Sequence, residues 1–391
     1  MTYKFEKPIL VTKPLMPKKE DIFKLFEEVM DSGWITNMGK QHAIFEKEIA
    51  EYLEVSNASV FNNGTLALIV ALKSLNLPIG SEVITTPFTF AATAHSIAWN
   101  GLIPVFADIE QKTMTLCPKA IEKAITSKTS AVLPVHVYGF PCDVIAIDAL
   151  AKKYNLRVVY DGAHAFTTKI SGKSICEYGN VTMLSFHATK LFNSIEGGAL
   201  IYKDTALGKK IYELRNFGIK KFENAEDIKE GIKTKDLIYD IGINGKINEL
   251  QAAWGRAVLG MVEDEQISRQ AVAKIYKTEL SKIDAITIPE MPRNTKNSMQ
   301  YFPIIIDPKN GISRDDIYDF LIKNNVHSRK YFFPLCSDFK CYKNYQSANP
   351  LNLPVAHKIA DNILCLPFYG ELSEDKRVEK ICDIIKGLLH V

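Results

Sequence analysis

Ser185, His187 and Lys190 fall within one six-residue stretch, Ser185-Phe186-His187-Ala188-Thr189-Lys190, and Glu196-Gly197-Gly198 follows closely. The stretch closes an apolar run from Val181 to Phe186, and the glycine pair leads into another from Ala199 to Tyr202. A lysine at such a strand end sits in the wall of a site where water is scarce. Its charged form loses hydration, its pKa falls, and the free amine becomes a nucleophile towards carbonyls. The chemistry this suggests is a Schiff base, most obviously with pyridoxal phosphate. Taken alone, the same residues read more readily as a solvated lysine on a surface loop, so the other chemical groups have to decide.

Pyridoxal phosphate makes four demands. Its phosphate needs backbone N–H groups at a helix start and a hydroxyl or two. Asn63-Gly64-Thr65-Leu66 opens a helix directly after an apolar run and offers both, and Ser185 can add a second hydroxyl. The competing reading is an ordinary helix cap. The pyridine nitrogen needs a carboxylate, because the protonated ring is the electron sink. Asp161 ends the strongly apolar Leu156-Arg-Val-Val-Tyr-Asp161, although it could simply cap the next turn. The ring needs a flat apolar partner, for which Phe90 and Phe88 are candidates; either could equally be a core aromatic. The aldehyde needs Lys190. Each match is weak by itself. Their order, phosphate turn, aromatic, Asp, then lysine about thirty residues on, is that of fold-type I pyridoxal enzymes.

The elements that must position these groups alternate. Apolar strands are expected at Ala58–Phe61, Glu82–Thr86, Ile103–Asp108, Ala131–Val137, Leu156–Asp161 and Val181–Phe186. Helices are expected between them at Leu66–Leu75, Phe90–Asn100, Pro118–Thr126 and Val144–Tyr154. This alternation predicts an α/β fold with a mostly parallel, doubly wound sheet covered on both faces. Ligands bind such sheets at the carboxyl ends of strands, which is where every group above falls. Two amphipathic helices, Pro17–Ser32 and Gln41–Leu53, precede the alternation. Trp34 in the loop between them reads as a plug at a core edge or as part of a binding loop. Lys220–Asp240 reads as a charged, solvated loop or short helix. Asn248–Ile267 is expected to run on through Tyr276 as one long bridging helix. Beyond it, Ile286–Ile288, Tyr301–Ile306 and Val326–Arg329 are expected as antiparallel strands of a smaller α/β domain. The domains are drawn as 1–250, binding the cofactor, and 251–391, the bridging helix and small domain.

Composition narrows the function classes. The chain has 391 residues and a formal net charge of +3, with Lys and Arg dispersed rather than clustered with aromatics, which argues against nucleic acid as a partner. No run is long and apolar enough for a membrane helix, and the mixed-charge start is no signal peptide. Seven cysteines, none spaced Cys-x-x-Cys, read as free thiols in a reducing cytoplasm and argue against a metal site.

The motifs together resemble the DegT/StrS type of sugar-nucleotide aminotransferases. They include Gly33-Trp34, Asn63-Gly64-Thr65, Thr85-Thr-Pro-Phe-Thr-Phe-Ala-Ala-Thr93, Asp161-Gly-Ala-His164, Ser185-Phe-His-Ala-Thr-Lys190, Glu196-Gly-Gly198, Leu214-Arg-Asn216, Gly242-Ile-Asn244 and Leu366-Pro-Phe-Tyr369. They occur in family order over nearly the whole chain. The resemblance implies that Lys190 carries pyridoxal 5′-phosphate and that Asp161 pairs with its pyridine nitrogen. It implies that Gly64, Thr65, Leu66 and Ser185 hold the phosphate, that Phe90 stacks on the ring, and that His164 lies beside the ring hydroxyl. Asn244 would reach the cofactor phosphate of a partner subunit, making a homodimer with shared active sites. Trp34, Arg215, Arg329 and Tyr331 become substrate-side candidates, with Lys220, Lys221 and Lys330 as further anchors. L-glutamate is the implied amino donor. The implied acceptor is a nucleotide-linked keto-6-deoxy sugar, foremost dTDP-4-keto-6-deoxy-D-glucose, with the 3-keto isomer as the alternative and surface polysaccharide such as O-antigen as the destination. A pyridoxal-binding regulator without turnover is the alternative of another class. Phe217 and Cys336 depart from the family pattern: many relatives have His at these two positions, near where the sugar should bind.

Overall fold

The computed structural model describes residues 4–221, 237–308 and 311–389. A seven-stranded sheet organises the larger part. Its strands are β1 (Asn57–Phe61), β2 (Glu82–Thr85), β3 (Ile103–Phe106), β4 (Thr129–Leu133), β5 (Arg157–Asp161), β6 (Val181–Ser185) and β7 (Gly198–Tyr202), in the spatial order β1-β7-β6-β5-β4-β2-β3. Strands β3, β2, β4, β5 and β6 pair in parallel, and β7 lies antiparallel to both β6 and β1. The expected strand from Ala131 stops at Leu133. Pro134 has no N–H to donate, and Tyr138 and Gly139 then take left-handed backbone angles that turn the chain.

The helices are α1 (Lys19–Ser32), α2 (Lys40–Leu53), α3 (Gly64–Ser74), α4 (Ala91–Trp99), α5 (Pro118–Ala124), α6 (Val144–Tyr154) and α7 (Thr205–Leu214). Helix α3 is apolar almost all round because it is covered on more than one side: it packs on β6 and β7 and against α4 and α7. No helix among the described residues is long and apolar enough to cross a membrane.

The expected single bridging helix is two, α8 (Glu249–Leu259) and α9 (Val262–Leu280). The break falls at Gly260-Met261, where Met261 N–H bonds the Val258 carbonyl in a tight turn. Glu263, Asp264 and Glu265 then supply the acidic first turn that a new helix start favours. The two halves serve different cores. Ala252, Val258, Leu259 and Val262 pack with Phe45 and Phe186 under the large sheet. Val272, Tyr276 and Leu280 pack with Ile304, Leu321 and Ile385 of the smaller unit.

That smaller unit has an antiparallel sheet of Ile286–Thr287, Phe302–Ile306 and Ile363–Leu366, backed by α10 (Arg314–Lys323) and α12 (Arg377–Leu389); α11 (Pro354–Asn362) also belongs to it. Two expectations fail here. Val326–His327 does not join this sheet but pairs in parallel with Ile9–Leu10. Phe5 and Ile9, drawn with the large domain, are buried in the small-domain core. The expected loop at Lys220–Asp240 lies largely outside the described residues.

Candidate active site

Because β7 runs opposite to its neighbours, its amino end joins the carboxyl ends of β1, β2, β4, β5 and β6 along one edge of the sheet. Asp161, the last residue of β5, is buried there. Its Oδ2 accepts from the Thr93 hydroxyl at 2.8 Å and its Oδ1 from the Ala163 N–H at 3.0 Å. Thr93 in turn is bonded to Thr89 at 2.8 Å. Burial pushes the Asp161 carboxyl up, while the Ala163 and Thr93 hydrogen bonds and the charge of Lys190 pull it partly back.

Lys190 follows β6 in the turn that leads to β7. Desolvation lowers its pKa to about 8, against the opposing attraction of Asp161. Its Nζ lies 6.0 Å from the centre of the Tyr301 ring. His164, also buried, accepts the Tyr138 N–H on Nδ1 at 3.1 Å and meets Tyr301 edge-on at 5.1 Å. That bond requires an unprotonated Nδ1, so the neutral ring carries its proton on Nε2. Burial, with Lys190 nearby, holds His164 well below the usual imidazole range.

The phosphate candidates also converge. Asn63 caps α3 by accepting the Leu66 N–H at 2.8 Å, so Gly64 and Thr65 present the N–H groups that a helix start leaves over. Gly64 lies against Ser185: a Cβ on it would be 3.3 Å from the serine Cβ and 3.4 Å from its hydroxyl oxygen. Of the two aromatic candidates, Phe88 is a core residue packed edge-on against Tyr138 and Phe332. Phe90 is 64% exposed at the start of α4, one turn before Thr93. Asn244 is exposed, takes a hydrogen bond from Lys246 Nζ at 2.8 Å, and is set beside β1 by the bond from Asn62 N–H to the Gly245 carbonyl.

The substrate-side candidates divide. Tyr331 packs against Tyr301 at 5.5 Å, and its carbonyl accepts the Tyr138 hydroxyl, so it belongs to the cluster around Lys190. Arg329 is exposed two residues before it. Trp34 is 57% exposed rather than a core plug, since its ring lies over Gly39 at the surface. Arg215 is corrected outright. It is 1% exposed and committed to the core: its guanidinium bonds Glu46 at 2.5 Å and the Val60 carbonyl at 2.7 Å, and lies over the rings of Tyr212 and Phe61. Lys330 is taken by Asp315 at 2.7 Å and by the face of Tyr318. Lys221 lies over Tyr212, and Lys220 is exposed. Cys336 is fully buried, its thiol donating to the Thr89 carbonyl at 3.1 Å, whereas Phe217 is exposed beneath Lys246.

Three site residues lie outside the sequence reading: Thr93, Gln300 and Tyr301. Thr93 could have been found, because it stands one helical turn into α4 and so faces back to the strand ends. The other two act through contacts with the turn around Lys190, more than a hundred residues away in sequence, which no local pattern reports.

Comparison with known proteins finds similarity along nearly the whole chain. Residues 17–386 match the DegT/DnrJ/EryC1/StrS aminotransferase family. The dTDP-4-amino-4,6-dideoxy-D-glucose transaminase of Escherichia coli is 40% identical over 385 residues, 98% of this chain and 99% of that one. The GDP-perosamine synthase of Vibrio cholerae is 30% identical over 94% of this chain and 96% of its own length. Among solved structures, DesI determined in the presence of its TDP-sugar product superposes with a TM-score of 0.88 at 30% identity, covering 98% of this chain and 94% of DesI. PseC of Helicobacter pylori gives 0.88 at 26%, covering 98% and 100%. With a match that spans nearly its whole length, this chain belongs to the DegT/DnrJ/EryC1/StrS aminotransferase family.

Proposed function

We propose that this aminotransferase uses pyridoxal 5′-phosphate to move an amino group from L-glutamate to C4 of dTDP-4-keto-6-deoxy-D-glucose. The observation that carries the sugar is the 40% identity, over 98% of the chain, to a dTDP-4-amino-4,6-dideoxy-D-glucose transaminase. The residues present fit the cofactor. A buried carboxylate and a desolvated lysine interact with one another, and a glycine-opened helix start lies against a serine hydroxyl. When bound, pyridoxal phosphate supplies the electron-withdrawing ring that lets the Cα–H bond of an attached amine ionise.

The chain's own residues would divide the remaining work. Gly64, Thr65 and Ser185 bind the phosphate through helix-start N–H groups and hydroxyls, whereas the Leu66 N–H, also expected there, is taken by the Asn63 cap. Asp161 holds a proton at the pyridine nitrogen; its burial makes that pairing strong and keeps water away. His164, held neutral with its proton on Nε2, can donate a hydrogen bond to the ring oxygen. Phe90 covers the ring. Lys190 Nζ takes the proton from the donor Cα and returns one to the cofactor carbon. An amine with a pKa of about 8 is poised for both directions near neutral pH. Trp34, Arg329 and Tyr331 face the substrates. Asn244, exposed, serves the phosphate site of a partner subunit in a homodimer. The product would feed a surface polysaccharide such as O-antigen, made in the cytoplasm.

The test is incubation of purified protein with L-glutamate and dTDP-4-keto-6-deoxy-D-glucose or its 3-keto isomer, with products read by mass and NMR. A new amine at C4 supports the proposal, and amination only of the 3-keto isomer overturns the choice of sugar. Turnover retained by Lys190→Ala would refute the role of Lys190.

A further inference from the structure

We propose that Gln300 is a positioning residue for Lys190. Its side-chain amide grips the backbone on both sides of the lysine. The Nε2 group donates to the Thr189 carbonyl at 3.1 Å, and Oε1 accepts the Leu191 N–H at 2.7 Å. Only this orientation of the amide satisfies both partners, because a carbonyl can only accept and an N–H can only donate. Gln300 is 2% exposed, so water does not compete for these bonds.

The grip matters because none of the turn's own bonds takes the two backbone groups that flank the lysine. Its internal bonds run from Lys190 N–H to the His187 carbonyl, from Ala188 N–H to the Ile195 carbonyl, and from Thr189 N–H to His187 Nδ1. The Thr189 carbonyl and the Leu191 N–H, which flank the lysine, are held from outside by one side chain. A pair of bonds across a single residue fixes the direction in which its Cα–Cβ vector leaves the chain, and therefore where Nζ can reach.

Gln300 is itself held from behind. Arg269 on α9, fully buried and paired with Glu265 at 2.6 Å, donates to the carbonyls of Met299 at 2.9 Å and Gln300 at 3.3 Å. The segment around Gln300 makes further contacts with the site. Ser298 donates to the His164 carbonyl at 2.5 Å, and the Tyr301 ring lies near both His164 and Lys190. The chain then enters the small-domain strand Phe302–Ile306. The lysine of the large sheet is thus aligned by a strap that belongs to the small domain.

The inference rests on the proposed function only in that Lys190 is the amine that reacts. The test follows the uptake of pyridoxal phosphate by cofactor-free protein, trapped with borohydride and mapped by peptide mass to Lys190. Alongside it runs a spectrophotometric pH titration of the reconstituted enzyme. In Gln300→Met, of similar shape but without either bond, uptake by Lys190 slows about tenfold, equivalent to about 1.4 kcal/mol. The titration of the bound cofactor's absorbance band shifts by about half a pH unit or more. A merely structural residue would lower the melting temperature and leave that titration in place. Gln300→Glu provides a second signature. Its carboxylate can accept from Leu191 but faces the Thr189 carbonyl oxygen to oxygen, whereas the protonated acid can donate there. Its uptake rate relative to the unsubstituted protein therefore rises as the pH falls from about 8 to about 6. If Gln300→Met fails to fold, the Gln300→Glu ratio decides alone, and a ratio independent of pH overturns the inference. Wild-type rates and titrations in both folded variants overturn it too, leaving the proposed function standing. No adduct on Lys190 of the unsubstituted protein overturns both.

Discussion

Gly198, the first residue of β7, has no room for a side chain: a Cβ there would lie 2.8 Å from the Gly64 nitrogen and 2.9 Å from its Cα. Both contacts are backbone, so nothing flexible can yield. The pinch presses the start of α3 against the sheet and brings Gly64 beside Ser185. In Gly198→Ala, α3 must shift away from β7, at a cost of about 1–3 kcal/mol in stability. The larger effect expected is on the phosphate cradle, whose N–H groups move with the helix, so the affinity for pyridoxal phosphate falls about tenfold, or about 1.4 kcal/mol. Gly387→Ala is the control. It lies in α12 with nothing within 4 Å of the added methyl group, and should be neutral or stabilising by about 0.5–1 kcal/mol. Fluorescence titration of cofactor into each stripped variant checks the comparison, and equal affinities would sink it.

Lys190 gives a pH signature. Its pKa in the folded chain, about 8, lies below the ordinary lysine value of 10.5, so the folded chain binds this proton less tightly than the unfolded one. Its protonation therefore costs stability in full below about 8, and stability recovers as pH rises from about 8 to 10.5. The same shift governs reactivity. In cofactor-free protein, competitive acetylation of Lys190 should rise with pH and level off above about 8, while exposed lysines keep rising. Asp161 supplies the opposing attraction, so Asp161→Asn should move the Lys190 plateau to lower pH. A plateau that moves upward in that variant would contradict the coupling.

Arg215 illustrates where a sequence motif misleads. Leu-Arg-Asn at a helix end looks like a substrate anchor, yet the guanidinium is closed off by Glu46, Val60, Phe61 and Tyr212. Burial pushes the Glu46 carboxyl up, and Arg215, with help from His42, more than offsets this and leaves it below its ordinary value. A carboxyl held low contributes stability above its unfolded pKa, and that contribution is lost as pH falls through the folded value. Arg215→Ala removes a buried cation with its hydrogen bonds and leaves Glu46, whose side chain is 24% exposed, without its partner, and should cost about 1–3 kcal/mol by denaturant unfolding. The KM for the sugar nucleotide should stay within about twofold where the variant remains folded. A raised KM with unchanged stability would return Arg215 to the substrate.

What could be read from the sequence is what strand periodicity and turn chemistry report. Asp161, Ser185 and Gly64 each stand at the end of an apolar run, and the alternation of runs with helices puts such ends on one edge of a parallel sheet. The break at Gly260 is a miss that local rules could have avoided, because a glycine followed by Glu263, Asp264 and Glu265 is a helix start. What could not be read depends on partners remote in sequence. Val326 gives no sign that its neighbour is Ile9. Glu46 lies 169 residues from Arg215, and Gln300 lies 109 from Leu191. A buried polar side chain looks like a surface one until its partner is known, which is why the core arginine was misread and the glutamine overlooked.

The hydroxyl of Thr93 is the remaining lever on Asp161. It donates to Oδ2 at 2.8 Å and is itself tied to Thr89 at 2.8 Å, so the carboxylate is oriented by a short chain of hydroxyls from the loop after β2. Thr93→Val keeps the shape and removes the donor. Thr93 is fully buried, so water cannot substitute, and a hydrogen bond to a charged group is worth about 1.5–3 kcal/mol. With burial already raising the Asp161 pKa and this restraint gone, the carboxyl should titrate at still higher pH. An acid whose folded pKa lies above its unfolded one gains stability as pH falls through the folded value, so the variant's deficit should be largest at neutral pH and shrink towards acid. Turnover should fall with little change in KM, because the substrates do not meet this hydroxyl. Unfolding at pH 5 and pH 7, beside steady-state kinetics at pH 7, separates the outcomes. A deficit that grows towards acid would mean that Thr93 does not act through the Asp161 carboxylate.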